Sequence, residues 1–189
     1  MRRFISVLIV LFVMSGCGFV GNTKCSPSSM GIEAEREWYS FKDSVEQADL
    51  IVEVEIVENS IINGYMCKTK HTAKVLENFG GESAQEITFL QEGGNGALVN
   101  GNEIFQPGER YILMLKETVG ESAAQFWILG DELSTYKVDG DSLIRTMEYE
   151  ELQSIEIDHM NHMNDLEDDE NMQIVDRDEL INKVKETRK

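Results

Sequence analysis

The chain is short, acidic and has few cysteines. It has 189 residues, with 17 Lys and Arg against 35 Asp and Glu, so its formal net charge is −18. A surface of this charge repels phosphate backbones, which excludes nucleic acid as an expected partner. The length suits one domain of ordinary size with extended ends.

The N-terminus has the pattern of an export signal. Arg2 and Arg3 precede an apolar run from Phe4 to Met14. Eleven helical residues rise only about 16 Å, roughly half of a bilayer core, so this run is too short to span a membrane comfortably. The residues that follow complete the motif Met14-Ser15-Gly16-Cys17, which resembles the lipobox of bacterial lipoproteins. The resemblance implies lipidation at Cys17 and an anchor on the extracytoplasmic face of the cell membrane.

Two alternatives stay open for this segment: an uncleaved signal anchor, and cleavage without a lipid. Both place the rest of the chain outside the cytoplasm, where disulfides persist. Once Cys17 is assigned to lipid, Cys25 and Cys67 are the two cysteines that remain. A disulfide between them would close a loop of about 40 residues. The alternative is two unpaired thiols, with Cys67 buried as a small apolar residue.

The predicted folded domain begins at Ser40. This residue is a suitable helix N-cap, and Asp43 follows in the first turn. Phe41, Val45 and Ala48 share one face at helical spacing. A short helix is therefore predicted before the first strand.

Two strands follow this helix. Residues 49–58 and 65–76 alternate apolar and polar side chains, and this period of two predicts one buried face for each strand. The polar face of the first strand carries Glu53 and Glu55, which are expected to be solvated and to lie opposite lysines. The polar face of the second strand is basic, so the two strands are predicted to pair antiparallel.

One of the later strands differs from the others. Residues 110–116 are apolar on both faces, as expected of a central strand that is covered on both sides. Shorter strands are predicted at 86–91, 125–129, 133–138 and 142–147, with Asp139-Gly140-Asp141 as the turn between the last two. Strands at this spacing, with little helix between them, predict a small antiparallel barrel or sandwich.

Three segments carry a family resemblance that covers about residues 40–146. They are Glu46 to Val52, Ala73 to Leu76 and Gly108 to Leu113. With the strand pattern, they resemble uncharacterised lipoproteins of Gram-positive bacteria. More distantly, they resemble the netrin and tissue-inhibitor-of-metalloproteinase module, whose N-terminal cysteine cluster is not reproduced. The resemblance implies a mainly β fold, a small antiparallel OB-like barrel with short flanking helices, and implies no inhibitory activity.

The C-terminal part is acidic. Residues 148–172 hold ten carboxylates and no Lys or Arg. A short helix is predicted at 148–158, whereas 165–170 has too much like charge to pack and is expected to stay solvated. Asp176 or Asp178 caps a last helix, which is predicted to pack on the barrel. Its apolar face is Leu180, Ile181 and Val184.

The chain is therefore predicted to have four parts. Residues 1–16 are a signal peptide, and 17–39 are the lipidated N-terminus with a flexible spacer. Residues 40–147 form the OB-like barrel domain. Residues 148–189 are an acidic segment followed by a C-terminal amphipathic helix.

No familiar catalytic motif is present. The sequence has no nucleophile elbow, no His-Glu-x-x-His and no Cys-x-x-Cys, so no catalytic residue is predicted. The glycine-rich residues 92–96 are expected to be a turn that ends a strand, because no Lys-Ser/Thr pair follows them. His71 falls on the inward face of its strand, where a core histidine bonded to a neighbour is expected.

One cluster has the composition of a metal site. His159, Met160, His162 and Met163 combine imidazole and thioether ligands, which suit Cu(I), and carboxylates follow them. The alternative is a polar linker, because two His and two Met alone do not make a preorganised site.

The leading hypothesis is a non-enzymatic binding or protein-interaction module of the cell envelope. Such a module would be attached to the membrane by its lipid anchor and would bind an envelope protein or ligand. It would need no cofactor. Five aromatic residues could either contact the ligand or belong to the core: Trp38, Tyr39, Tyr65, Phe105 and Trp127. Of these, Trp127 is expected to be core. The alternative function is a metal-binding lipoprotein that uses the cluster at 159–163. An enzyme acting on cell-wall material is the least favoured class.

Overall fold

The computed structural model describes residues 39–62, 67–120, 122–130, 134–146, 165–167 and 172–189. These residues form two helices, α1 (Phe41–Gln47) and α2 (Arg177–Thr187), and nine strands. The strands in chain order are β1 (Leu50–Ile62), β2 (Lys68–Gly80), β3 (Glu86–Glu92), β4 (Arg110–Glu117), β5 (Phe126–Ile128), β6 (Thr135–Asp139), β7 (Ser142–Thr146), β8 (Asp165–Glu167) and β9 (Met172–Asp176). The predicted mainly β fold is confirmed.

Five strands close into a barrel. The order is β1-β2-β3-β5-β4, and β4 pairs back to β1 along residues 110–115. β3 and β5 are parallel, with Phe89 opposite Phe126, while the other neighbours in the barrel are antiparallel. This is the small OB-like barrel that the strand pattern and the resemblance predicted.

A second sheet branches from the barrel at β4. The same edge of β4 pairs with β5 along residues 115–117 and with β6 along 111–113, so β5 and β6 lie end to end. From β6 the sheet continues through β7 and β9 to β8. The predicted hairpin between β6 and β7 is confirmed, with Asp139 opposite Ser142.

Each face of the central strand contributes to a different core. Leu113 and Leu115 of β4 belong to the cluster inside the barrel, whereas Ile112 and Met114 belong to an outer cluster beneath the two helices. All four are buried, so the prediction of a strand covered on both sides is confirmed. Alternation along β1 has the same effect, with Leu50 inside and Ile51 outside.

Both helices have the predicted caps. The Oγ of Ser40 accepts the backbone N–H of Asp43 at 3.0 Å and begins α1. Asp176, not Asp178, caps α2, because its side chain accepts the N–H of Glu179 at 2.9 Å. The predicted apolar face of α2 is buried in the outer cluster. The C-terminal helix therefore packs on the barrel as expected.

The acidic C-terminal part contains strands that the sequence reading did not place. Residues 165–167 form β8, whereas 168–170, the rest of the segment predicted to stay solvated, lie outside the described residues. β9 was not predicted, although it pairs with β7 over five residues. A strand pairs through its backbone, so like charge on its side chains does not prevent it from joining an available edge. The helix predicted at 148–158 lies outside the described residues.

Glu53 corrects the expectation that its strand face is open. Its side chain is 1% exposed and accepts hydrogen bonds from Arg110 and from Arg177, whose Nε lies 3.1 Å from the carboxylate. Its partners are therefore arginines rather than lysines. Arg177, at the start of α2, covers Glu53. The sequence of β1 alone does not show this contact. Glu55 stays half-buried, with Lys74 opposite it on β2.

We expect Glu53→Gln to lower the free energy of unfolding by about 2 kcal/mol, because it leaves two arginines beside a neutral amide. Both arginines keep part of their exposure, at 45% and 24%, which limits the loss. Chemical denaturation measures it. Glu58→Gln, at an exposed position on the same strand, is the control and should change stability by less than about 0.5 kcal/mol. Equal stability of the two variants would contradict the role given to Glu53.

Candidate functional site

The outer surface of the barrel presents an aromatic and basic face on β2, β3 and β5. We call it the lysine–tryptophan face and define it by Lys70, Thr72, Thr88, Leu90 and Trp127. Cross-strand register brings these residues together, because Leu90 lies opposite both Lys70 and Trp127, and Thr72 lies opposite Thr88. Their neighbours at 71, 87, 89, 126 and 128 point into the barrel.

Trp127 is the exposed aromatic residue on the β5 side of this face. Its neighbours Phe126 and Ile128 take the inward positions of β5, so its indole points outward and is 38% exposed. The expectation that Trp127 is core is therefore wrong. Of the other aromatic candidates, Phe105 is buried at 4% exposure and Tyr39 packs partly buried against the outer cluster. Trp38 and Tyr65 lie outside the described residues.

The charge of this face is locally positive. Lys70 lies opposite the uncharged Ser60 and Leu90, and it makes no ion pair with any described residue. Nearby lysines are engaged: Lys68 pairs with Glu92 at 3.2 Å, and Lys116, opposite Trp127, pairs with Asp49 at 3.0 Å. A lysine without an ion pair among the described residues, two strands away from an exposed indole, makes the charge of this face differ from the net charge of −18 of the chain.

Backbone and side-chain bonds hold the edge of the face in place. The N–H of Thr88 donates to the Oε1 of Gln125 at 3.0 Å, and the N–H of Gln125 donates to the carbonyl of Thr88 at 3.1 Å. These bonds attach the end of the β4–β5 loop to β3. Val119 in that loop is 97% exposed. The face therefore has a rigid sheet as its base and an exposed loop beside it.

A cleft lies where the barrel opens towards β6, apart from the lysine–tryptophan face. β5 stops at Ile128, and β6 continues along β4, so the inward side of the sheet is no longer closed by β3 at that point. The loop from 93 to 109 crosses it and leaves two adjoining hollows of about 280 and 310 Å³. We call them together the Tyr111 cleft. Its principal lining residues are Asn102, Glu103, Phe105, Tyr111, Thr135 and Lys137.

Charged and aromatic groups converge in this cleft. The carboxylate of Glu109 accepts from Lys137 Nζ at 2.6 Å and from the Tyr111 hydroxyl at 2.7 Å. Burial acts to raise the pKa of Glu109, but the bonds from Lys137, the Gln106 N–H and Tyr111 together lower it below its ordinary value. Burial, followed by the nearby Glu109 and Glu103, raises the pKa of Tyr111. The ring of Tyr111 stacks on Phe105 at 4.0 Å between centroids.

The glycine-rich residues 92–96 form a turn at the end of β3, as predicted. Gly94 has φ of 134°, and a Cβ there would lie 2.6 Å from the hydroxyl oxygen of Thr69. That hydroxyl donates to the carbonyl of Gly93 at 2.9 Å. The glycines therefore serve the backbone geometry and the close approach to β2.

His71 is a core residue, as predicted. It is fully buried and lies between Phe89 and Phe105, with ring centroids 5.0 and 5.5 Å away. Its Nε2 donates to the Oε1 of Gln91 at 3.0 Å. Burial lowers the pKa of His71 to about 4, although the bond to Gln91 acts in the opposite direction. The ring is therefore neutral near pH 7.

One buried cation was not anticipated from the sequence. Arg145 is 2% exposed, and its guanidinium lies 4.7 Å from the centroid of the Tyr136 ring. Burial lowers the pKa of Arg145, while Tyr136 acts in the opposite direction. Because the residue lies on a strand with an unremarkable pattern, only the packing of the outer cluster reveals it.

The remaining predicted site residues are mostly outside the described part of the chain. Cys67 is disulfide-bonded, whereas Cys17 and Cys25 lie outside the described residues, so the pairing of Cys25 with Cys67 stays a prediction. The cluster at His159, Met160, His162 and Met163 lies outside it too. Within the described ranges, no group of three or more His, Cys, Asp and Glu residues is arranged to hold a metal ion. No helix in those ranges has the length and apolar content that a bilayer crossing requires.

Comparison with known proteins does not assign a family. No family model matches the sequence, and no curated protein is detectably similar to it. The structure itself defines the class: a closed, five-stranded OB-like barrel with a sheet extension and two covering helices.

We expect acid to destabilise the protein partly through His71. The unfolded chain binds a proton near the ordinary pKa of 6.5, and the folded chain binds it only near 4. Stability is therefore lost as the pH falls from about 6.5 to about 4, by up to about 3 kcal/mol. Chemical denaturation at pH 7 and at pH 4.5 measures the free energy of unfolding, which should fall less for His71→Gln than for the parent chain. Equal losses would contradict this assignment.

Proposed function

We propose that this protein is a lipid-anchored binding protein of the cell envelope, and that its lysine–tryptophan face binds a carbohydrate chain. The observation that carries the proposal is the outward-facing indole of Trp127, which is 38% exposed on a strand of the closed barrel. The proposal assigns binding, and no catalysis, to this face.

The position of the face supports this ligand class. OB-type barrels bind oligosaccharides and oligonucleotides on the surface of the second and third strands and on the adjoining loops. Lys70 and Thr72 lie on β2, and Thr88 and Leu90 lie on β3. The net charge of −18 disfavours a polynucleotide, because its phosphates would be repelled over a long range. A carbohydrate carries less charge and is therefore the better match.

The chemistry of the face also fits a sugar ring. The flat indole of Trp127 offers an apolar surface for the C–H groups of a sugar ring, and it loses little conformational entropy on binding. The hydroxyls of Thr72 and Thr88 and the ammonium of Lys70 can exchange hydrogen bonds with sugar hydroxyls. The combination of one aromatic anchor and several polar groups is the usual composition of a specific binding surface.

We expect Trp127→Ala to weaken carbohydrate binding at least tenfold, because it removes the aromatic contact of the face (about 1.4 kcal/mol or more). Calorimetric titration with chitohexaose, and co-sedimentation with an insoluble Gram-positive wall fraction, measure the binding. Val57→Ala, at an apolar side chain that is 50% exposed, is the control and should leave the affinity unchanged.

The same calorimetric titration tests the contribution of Lys70 to binding. Lys70→Gln should weaken binding of an anionic wall polysaccharide and reduce the dependence of the affinity on salt. Lys42→Gln, on α1 with 73% of its side chain exposed, should do neither. The proposal fails if the parent chain binds none of these carbohydrates, or if Trp127→Ala binds them as tightly as the parent.

The anchor is tested separately. Cells expressing the parent chain should incorporate labelled palmitate into it, because the motif at 14–17 supplies a cysteine for acylation. Cys17→Ala should abolish the labelling and release the protein from the membrane fraction. Cys25→Ala is the matched control and should keep the label. Equal labelling of Cys17→Ala and the parent would rule out the anchor.

A further inference from the structure

We propose that the Tyr111 cleft is a binding site for a protonated amine, with Glu103 as its counter-ion and the hydroxyl of Thr135 as a second contact. The site is separate from the lysine–tryptophan face and has the opposite charge. Its lining residues come from β4, from β6 and from the loop between β3 and β4.

The charges of the cleft favour a cation. Two carboxylates, Glu103 and Glu109, and one ammonium, Lys137, line its two hollows. Lys137 is already bonded to Glu109 at 2.6 Å. The exposed carboxylate of Glu103 makes no ion pair with a described residue, so it remains available to a ligand. An ammonium group entering here would restore neutrality beside two aromatic rings, Phe105 and Tyr111, whose π faces also attract cations.

Thr135 provides a second, independent indication of a ligand. The residue is only 7% exposed and lines the hollow of about 280 Å³, yet its Oγ1 has no hydrogen-bond partner among the described residues. Leaving a buried hydroxyl unpaired is unfavourable, because the group has lost its hydrogen bonds to water. The oxygen is covered from solvent, so a ligand amine would donate to it only after rotation about the Cα–Cβ bond of Thr135, and the hydrogen bond gained would then add to the affinity.

The cleft is held in shape before a ligand arrives. The buried Gln91 donates from Nε2 to the carbonyl of Glu103 at 2.9 Å, and its Oε1 accepts the N–H of Phe105 at 3.2 Å. Asn59 donates to the carbonyl of Phe105 at 3.0 Å. These bonds attach the loop that carries Glu103 to β1 and β3. Little ordering entropy therefore has to be lost on binding.

The amine can belong to a small molecule or to a lysine side chain of a peptide. Both end in the same ammonium group on a short carbon chain, which a hollow of about 280 Å³ accommodates. Two probes distinguish the sources: n-butylammonium chloride, and Nα-acetyl-lysine amide, which presents the same group on a peptide unit. n-Butanol has the same carbon chain without the charge and is the control ligand.

Titration of the ¹⁵N-labelled protein, followed by amide chemical shifts at constant ionic strength and pH 7, measures the binding. We expect saturable shifts confined to residues 101–106, 111 and 135–137, with a Kd on the order of 1–10 mM for at least one ammonium probe. The tighter of the two probes identifies the source. n-Butanol should bind at least fivefold more weakly.

Variants test the assigned contacts. Glu103→Gln should weaken the binding at least fivefold, and Thr135→Val about threefold, whereas Thr135→Ser keeps the hydroxyl and should keep the affinity. Glu82→Gln, an exposed carboxylate in the β2–β3 turn, and Trp127→Ala should bind as the parent does. Spectra that coincide with the parent outside the cleft show that each variant is folded. The site is refuted if butanol binds as tightly as both ammonium probes, if no shift saturates, or if Glu103→Gln leaves the affinity unchanged.

Discussion

The fold depends on the pairing of β4 along both of its edges. One edge closes the barrel against β1, and the other holds β5 and β6 in line. Because side chains alternate, Leu113 and Leu115 fill the barrel while Ile112 and Met114 form the base on which the two helices pack. Both cores are therefore built on one strand of eight residues, and its hydrophobic burial on two faces explains why no polar residue interrupts it between Tyr111 and Leu115.

The break between β5 and β6 explains how one small barrel offers two different surfaces. β5 stays in the closed barrel and turns Trp127 outward beside Leu90, with Lys70 on the next strand. β6 leaves the barrel, so Thr135 and Lys137 line an open cleft on what would otherwise be the interior. One surface is therefore basic and aromatic, and the other is acidic and aromatic. Each is supported by backbone pairing and hydrogen bonds, so the side chains that would meet a ligand are held in place without one.

The candidate sites were only partly predictable, and the reason differs from residue to residue. The face of β2 that carries Lys70 followed from its period of two, because alternation is a local property. The outward position of Trp127 did not follow, since β5 is too short for its apolar residues to show which face is buried. Glu53 sat on the correct face of β1, but α2 supplies the arginine that covers it from 124 positions away in the chain. Nor does the sequence show that Glu103 and Thr135 share a cleft, because they come from separate elements.

Local physics was therefore enough to determine the element types. Alternation located most of the strands, side-chain oxygens capped both helices, and the doubly apolar run at 110–116 marked the central strand, since each of these signals is contained in a few neighbouring residues. Only the tertiary structure decided the parallel β3–β5 contact that closes the barrel, the pairing of β9 with β7 and of β8 with β9, and the convergence of groups in the cleft. Those features depend on contacts between segments far apart in the chain, whose free energy is realised only when the whole fold has formed.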